Sequence, residues 1–96
     1  MLLDELYEKK EKIYSIIQKY RAKNLWVFGS VARKEETENS DIDLLVSLDE
    51  GYDLFKQRIP LQEELENLFG RKVDLIIKHE LNKHLAKEIL SSCKEI

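Results

Sequence analysis

The chain has 96 residues, 43% of them apolar and 36% charged, with 16 basic side chains against 19 acidic ones and a net charge of −3. This length favours one domain spanning 1–96. The negative balance argues against direct nucleic-acid binding by phosphate neutralisation, and the single cysteine, Cys93, excludes an internal disulfide. The opening MLLDELYEKKEK sets acids among its apolar residues and has neither the run of a membrane span nor that of a signal peptide, so the expectation is a cytoplasmic protein with no membrane partner.

Leu2, Leu3, Leu6, Ile13, Ile16, Ile17 and Tyr20 recur at three-to-four-residue spacing and predict an amphipathic helix through about residue 21, with a gap in the stripe at Lys9 and Lys10. Leu25-Trp26-Val27-Phe28 is a short apolar run ending at a glycine, the pattern of a buried strand. Gly29 and Ser30 turn the chain, residues 31–34 read as a short helical turn and 35–40 as a loop. Ile42 to Ser47 is the second strand and Asp49-Glu50-Gly51 a turn. Residues 52–69 have helical spacing, but Pro60 removes an amide donor and restricts Ile59, so a kink or two shorter helices is expected, with Gly70 just past the end. Lys72 to Ile77 is the third strand. Leu81, Leu85, Ile89, Cys93 and Ile96 then give a closing helix. The fold class is α+β with an α/β-like order: a small mixed sheet, three-stranded or slightly larger, covered by helices on at least one face.

The acids are unevenly spread. Glu35, Glu36, Glu38, Asp41, Asp43, Asp49, Glu50 and Asp53 fall within 35–55, a stretch without Lys or Arg. Those in the loop can stay hydrated, but Asp41 and Asp43 open an apolar strand. Alternation puts them on one face, with Ile42, Leu44 and Val46 on the other. Like charges so placed are unfavourable unless a cation lies between them, and Mg²⁺ suits oxygen ligands of this kind. Asp74 repeats the anomaly inside Val73-Asp74-Leu75-Ile76-Ile77; it also suits a charged edge strand. If the second and third strands are neighbours, the acids could hold two metals roughly 3.5–4 Å apart, a pair able to activate an attacking oxygen and stabilise a leaving one at phosphorus. The Gly29-Ser30 turn is the complementary part: glycine permits close approach of the backbone, a helix opening there aims amides at an anion, and Ser30, Arg33 and Lys34 could add donors or charge.

Phe28-Gly29-Ser30-Val31-Ala32-Arg33, then Ser40-Asp41-Ile42-Asp43-Leu44-Leu45-Val46, then Leu68-Phe69-Gly70-Arg71-Lys72-Val73-Asp74-Leu75-Ile76 resemble the signature of the polymerase-beta-type nucleotidyltransferase superfamily. The spacing is similar to that of its minimal (MNT) branch, the MNT antitoxins paired with HEPN toxins. The resemblance implies that Gly29 and Ser30, with Arg33 beside them, bind the triphosphate of ATP. It implies that Asp41 and Asp43 ligate two Mg²⁺ ions and that Asp74 ligates one and helps activate the acceptor. The reaction would move AMP from ATP to a hydroxyl, a tyrosine of a partner HEPN toxin in the antitoxin pairs, and release pyrophosphate. Many members of the family carry Gly where this chain has Lys34. Larger members also carry a helical domain for which 96 residues leave no room, so a hetero-complex with the toxin, or a second copy, is expected to close the site.

The remaining polar and aromatic residues read as ordinary structure. His79 and His84 are five apart, off the spacing of a helical metal pair; Cys93 reads as packing, and Trp26 and Phe28 as core. Two other functions compete with transfer to a toxin: a non-catalytic antitoxin that neutralises its partner by occlusion, and a nucleotidyltransferase acting on a small molecule.

Overall fold

The computed structural model describes residues 1–96. In chain order it comprises α1 (Leu2–Glu8), α2 (Lys10–Lys19), β1 (Lys23–Phe28), α3 (Gly29–Ala32), β2 (Ile42–Ser47), a π-helical turn (Leu54–Arg58), α4 (Ile59–Phe69), β3 (Val73–Ile77), a 3-10 turn (Lys78–Glu80), α5 (Lys83–Ser92) and β4 (Lys94–Glu95). The sheet has four strands in the order β3-β2-β1-β4. β1 is antiparallel to both β2 and β4, and β2 is parallel to β3. No helix is long and apolar enough to cross a membrane.

Strand alternation divides the interior between two faces. Leu25 and Val27, Ile42, Leu44 and Val46, and Val73, Leu75 and Ile77 point to one face, where they join Leu3, Leu6, Ile13, Ile17, Leu61 and Leu65 from α1, α2 and α4 in the main core. The other face is thinner. Phe28 and Leu45 pack there against Ile89 of α5, with Trp26, Ile76, Leu81 and Cys93 around them. Asp43 shares the face of Leu45, and Asp74 that of Ile76, so the acids stand on the α5 side of the sheet.

The N-terminal helix expected through residue 21 is two helices. Helical period from Leu3 and Leu6 would turn residue 10 inward, and residue 10 is an exposed lysine. The helix breaks at Lys9 (φ −94°, ψ 14°), which resets the stripe so that Ile13 and Ile17 are buried. β1 starts two residues before the apolar run, at Lys23, with a bulge at Asn24 (φ 55°). Pro60 does divide the 52–69 segment. It has no amide to offer the preceding turn, and the backbone widens into the π-helical turn just before it, capped by the Asp53 side chain accepting from the Phe55 and Lys56 amides, each at 2.9 Å. Gly70 ends α4 in the left-handed region (φ 60°, ψ 30°).

The closing helix is shorter than its apolar spacing predicts. It stops at Ser92, Cys93 is extended, and Lys94–Glu95 pair with Trp26 and Val27 as a fourth strand. Cys93 packs on the α5 side, whereas Ile96 is buried in the main core on the opposite side. One helix cannot deliver residues to both faces, so the chain leaves the helix, and the Ile96 amide donates to the Leu25 carbonyl at 2.9 Å.

β3 is an edge strand, but side chains of α4 and the preceding turn satisfy its outer groups. Glu66 accepts from the Val73 amide at 3.0 Å, Gln62 donates to the Val73 carbonyl at 2.9 Å, and Arg58 donates to the Leu75 carbonyl at 3.2 Å.

Candidate active site

Topology brings the candidate residues to one end of the sheet. Because β1 runs antiparallel to β2, the end of β1 meets the start of β2, and Phe28 pairs with Asp43. Because β3 runs parallel to β2, its start lies at the same end, and Asp43 pairs with Asp74. Gly29 and Ser30 follow Phe28 directly, and Asp41 immediately precedes β2.

Gly29 is held there on two counts. Its φ is +69°, and a Cβ at this position would collide with Asp43 Oδ2 and stand 3.1 Å from Asp43 Cγ. The close approach that the sequence suggests for a ligand is made, in the structure, by the Asp43 carboxylate. The α3 turn that opens at Gly29 has no side-chain cap on its first amides. Ser30 is half-buried, and its carbonyl accepts from the Glu35 amide at 2.8 Å.

The three acids differ in surroundings. Asp41 and Asp74 are exposed, while Asp43 is half-buried between them. Burial first, then the charges of Asp74 and Asp41, push the Asp43 carboxyl up from its ordinary 3.8 to about 6, with the Arg33 guanidinium opposing. Asp43 and Asp74 are therefore cross-strand neighbours with Asp41 close enough to be felt. No three Asp, Glu, His or Cys side chains are gathered closely enough in the structure to form a ready cation cage. The donor set is nonetheless the kind a hard divalent cation takes: carboxylate oxygens on one face, one of them destabilised in its charged form by burial and by its neighbours.

Arg33 is exposed, and its Nε donates to Glu35 at 3.1 Å. It lines a cleft of about 200 Å³ between α3 and α5, together with Phe28, Gly29, Glu88, Ile89 and Ser92. Lys34 points elsewhere, its Nζ 3.8 Å from Asp4. Its backbone is left-handed (φ 58°), a conformation that a glycine adopts without strain. His79 is exposed beside Tyr52, the ring centroids 6.1 Å apart, and His84 is exposed on α5, both away from the acids.

Arg71 has a position that the sequence reading gave no role. Its Nη1 donates to the carbonyls of Thr37 and Ser40, each at 3.0 Å. The available signal was a lone arginine between a helix-ending glycine and an acid-bearing strand.

Comparison with known proteins finds relatives over most of the chain. Residues 11–96 match the family described as Polymerase beta, Nucleotidyltransferase. A Methanocaldococcus jannaschii protein provisionally named a protein adenylyltransferase (MJ1379) is 41% identical over 87 residues, covering 90% of this chain and 85% of its own. The protein adenylyltransferase MntA of Thermococcus cleftensis is 41% identical over 73 residues, 76% of this chain and 73% of its own. Among solved structures, one provisionally described as a minimal nucleotidyltransferase superposes with a TM-score of 0.84 at 35% identity, covering 98% of this chain and 95% of that one. A chain of a toxin–antitoxin crystal structure with AMP-PNP shares the fold, with a TM-score of 0.75 at 23% identity over 88% of this chain and 69% of its own. So does a chain from the tri-AMPylated Shewanella oneidensis HEPN toxin in complex with MNT antitoxin, with a TM-score of 0.69 at 20% identity over 93% of this chain and 69% of that one.

Proposed function

The chain belongs to the polymerase beta nucleotidyltransferase family, and on that premise we propose that it transfers AMP from ATP to a tyrosine hydroxyl of a HEPN-type toxin, acting in the cytoplasm as the antitoxin of that partner. The observation that carries the reading is the register of Asp43 with Asp74, with Gly29 pressed against the Asp43 carboxylate at the mouth of the α3 turn. The names of the relatives support the class of reaction, and the toxin–antitoxin complexes that share the fold support the class of partner.

The chemistry balances as follows. The acceptor oxygen forms a bond to the α-phosphorus of ATP, the bond from that phosphorus to the bridging oxygen breaks, and pyrophosphate departs. Asp74, exposed at the edge of the trio, accepts the hydroxyl proton. The first amides of α3 and the Ser30 hydroxyl bind triphosphate oxygens, and Arg33, across the cleft from Glu88, adds positive charge beside them. Asp41, Asp43 and Asp74 would hold two Mg²⁺ ions. When bound, such ions neutralise phosphate charge and favour ionised carboxylates.

The test is the intact mass of the co-expressed partner after incubation with this chain, ATP and Mg²⁺. The partner is expected to gain the mass of one or more AMP groups, and the gain to vanish in the Asp41→Asn, Asp43→Asn double variant. A partner of unchanged mass, or a double variant that still protects cells as wild type does, would replace transfer with occlusion.

A further inference from the structure

Residues 35–40 have no helix or strand, carry three glutamates and lead directly into Asp41. Such a segment would be expected to spread under its own repulsion, but beyond the Ser30 and Arg33 bonds to Glu35 at its start, three further contacts hold it. Glu36 accepts from the Leu2 amide at 2.9 Å, tying the loop to the start of α1. The Thr37 amide donates to Ser40 Oγ at 2.9 Å, closing a local turn. Arg71 reaches across from the β3 side and donates to the Thr37 and Ser40 carbonyls. The first of these anchors the far end of the loop and the second is internal to it. Only Arg71 links the loop to the segment that carries Asp74.

The positions on either side of this link are close in sequence to the acids. Ser40 is the residue before Asp41, and Arg71 is three before Asp74. Between them, the Ile42 amide donates to the Lys72 carbonyl at 3.0 Å, and the β2–β3 ladder begins there. Arg71 therefore supplies a rung outside the ladder, at the point where backbone pairing ends and Asp41 would otherwise hang from a free loop. A planar guanidinium that never loses its charge suits this place among glutamates better than an ammonium, whose single nitrogen is mobile and strongly hydrated.

We propose that Arg71 is a positioning residue for the acidic site: it straps the approach to Asp41 onto the approach to Asp74 and so sets the spacing of the carboxylates that receive the divalent cations. The inference rests on the nucleotidyl-transfer reading above. It touches no substrate, and its effect is on how readily the acids accept metal, through the backbone of Ser40 and Asp41.

The experiment compares wild type, Arg71→Gln, Arg71→Lys and Arg58→Gln. Arg58→Gln is the control, because it removes a guanidinium that bonds the same strand at its outer edge, on the Leu75 carbonyl, and makes no bond to the 35–40 loop. Two quantities are read: amide hydrogen exchange across 37–42 in metal-free protein, and the Mg²⁺ concentration giving half-maximal AMP transfer at saturating ATP. Arg71→Gln is expected to speed exchange in 37–42 and to raise the Mg²⁺ midpoint about tenfold or more, with KM for ATP within about twofold of wild type. Arg71→Lys should fall between the two, and Arg58→Gln should move neither. If Arg71→Gln does not fold, Arg71→Lys carries the same readouts. The proposal is overturned if the Mg²⁺ midpoint of the Arg71 variants stays at the wild-type value, even where exchange rises, or if Arg58→Gln shifts it as much. Absence of Mg²⁺-dependent transfer in wild type would instead overturn the function proposed above. In that case the exchange data alone decide whether the strap exists.

Discussion

At the residue scale, Asp43 and Gly29 are coupled. Gly29 has both a left-handed backbone and a carboxylate where its Cβ would be. Gly29→Ala should therefore cost at least about 1–2 kcal/mol in urea unfolding from backbone strain alone. It should reduce transfer further than that loss of stability explains, because Asp43 must move. An alanine variant with wild-type stability and rate would contradict the arrangement. Asp43 also makes stability depend on pH. Its carboxyl binds a proton more readily in the folded chain, at about 6, than at its ordinary value of 3.8. Its contribution favours the fold fully below that ordinary value and is lost as pH rises through about 6. Metal-free protein should accordingly gain less from a move to pH 7.5 than its other carboxylates would give it. Asp43→Asn should raise the melting temperature at pH 7.5 by about 2–5 °C, a figure already reduced for the solvent that reaches Asp43, while transfer falls at least about a hundredfold. A variant that melts lower at pH 7.5 than wild type would show that the ionised Asp43 carboxylate is not penalised by its burial and its neighbours. Lys34 is the converse of Gly29: a side chain tolerated at φ 58°. Lys34→Gly relieves strain but loosens the unfolded chain, and should leave the protein about 0.5 kcal/mol more stable. Chemical denaturation reads this directly, and a clear loss of stability would mean that the left-handed turn is supported by contacts of the lysine itself.

At the scale of elements, what was legible in the sequence was what a single period encodes. Ile42–Ser47 is an apolar run interrupted by one acid, Asp43, and is a strand at those boundaries. Gly70 stops α4 where a left-handed residue was needed, and Pro60 divides its segment. The misreadings arose where one pattern served two surfaces. Leu85, Ile89, Cys93 and Ile96 fit one helical stripe on paper, but Cys93 and Ile96 serve opposite faces of the sheet. A fourth strand of two residues, carrying only Lys94 and Glu95, has no pattern of its own to read. At the site, the aspartates were conspicuous because charge interrupts apolar strands. Arg71 was not, because its partners are backbone carbonyls, which no side-chain pattern reveals. The fourth strand exists to bring Ile96 into the core, so Ile96→Ala should cost about 2–4 kcal/mol in urea unfolding. A cost near zero would mean that β4 is an ornament of the C-terminus.

At the scale of the whole molecule, a sheet packed on one face by α1, α2 and α4 leaves its other face to a single helix, α5. The acids stand at the end of that thinner face, open to solvent and next to the α3–α5 cleft. This exposure is consistent with a site finished by a partner and a nucleotide rather than by the chain itself. The central claim is where the divalent cation goes, and Mn²⁺ in the presence of AMP-PNP reports it through paramagnetic broadening of amide resonances. The account predicts loss of signal at Gly29 and Ser30, from Asp41 to Leu44 and around Asp74, with α2 and α4 unaffected. Broadening centred instead on the glutamates of 35–38 or on the acids of α1, with the strand ends still sharp, would contradict it.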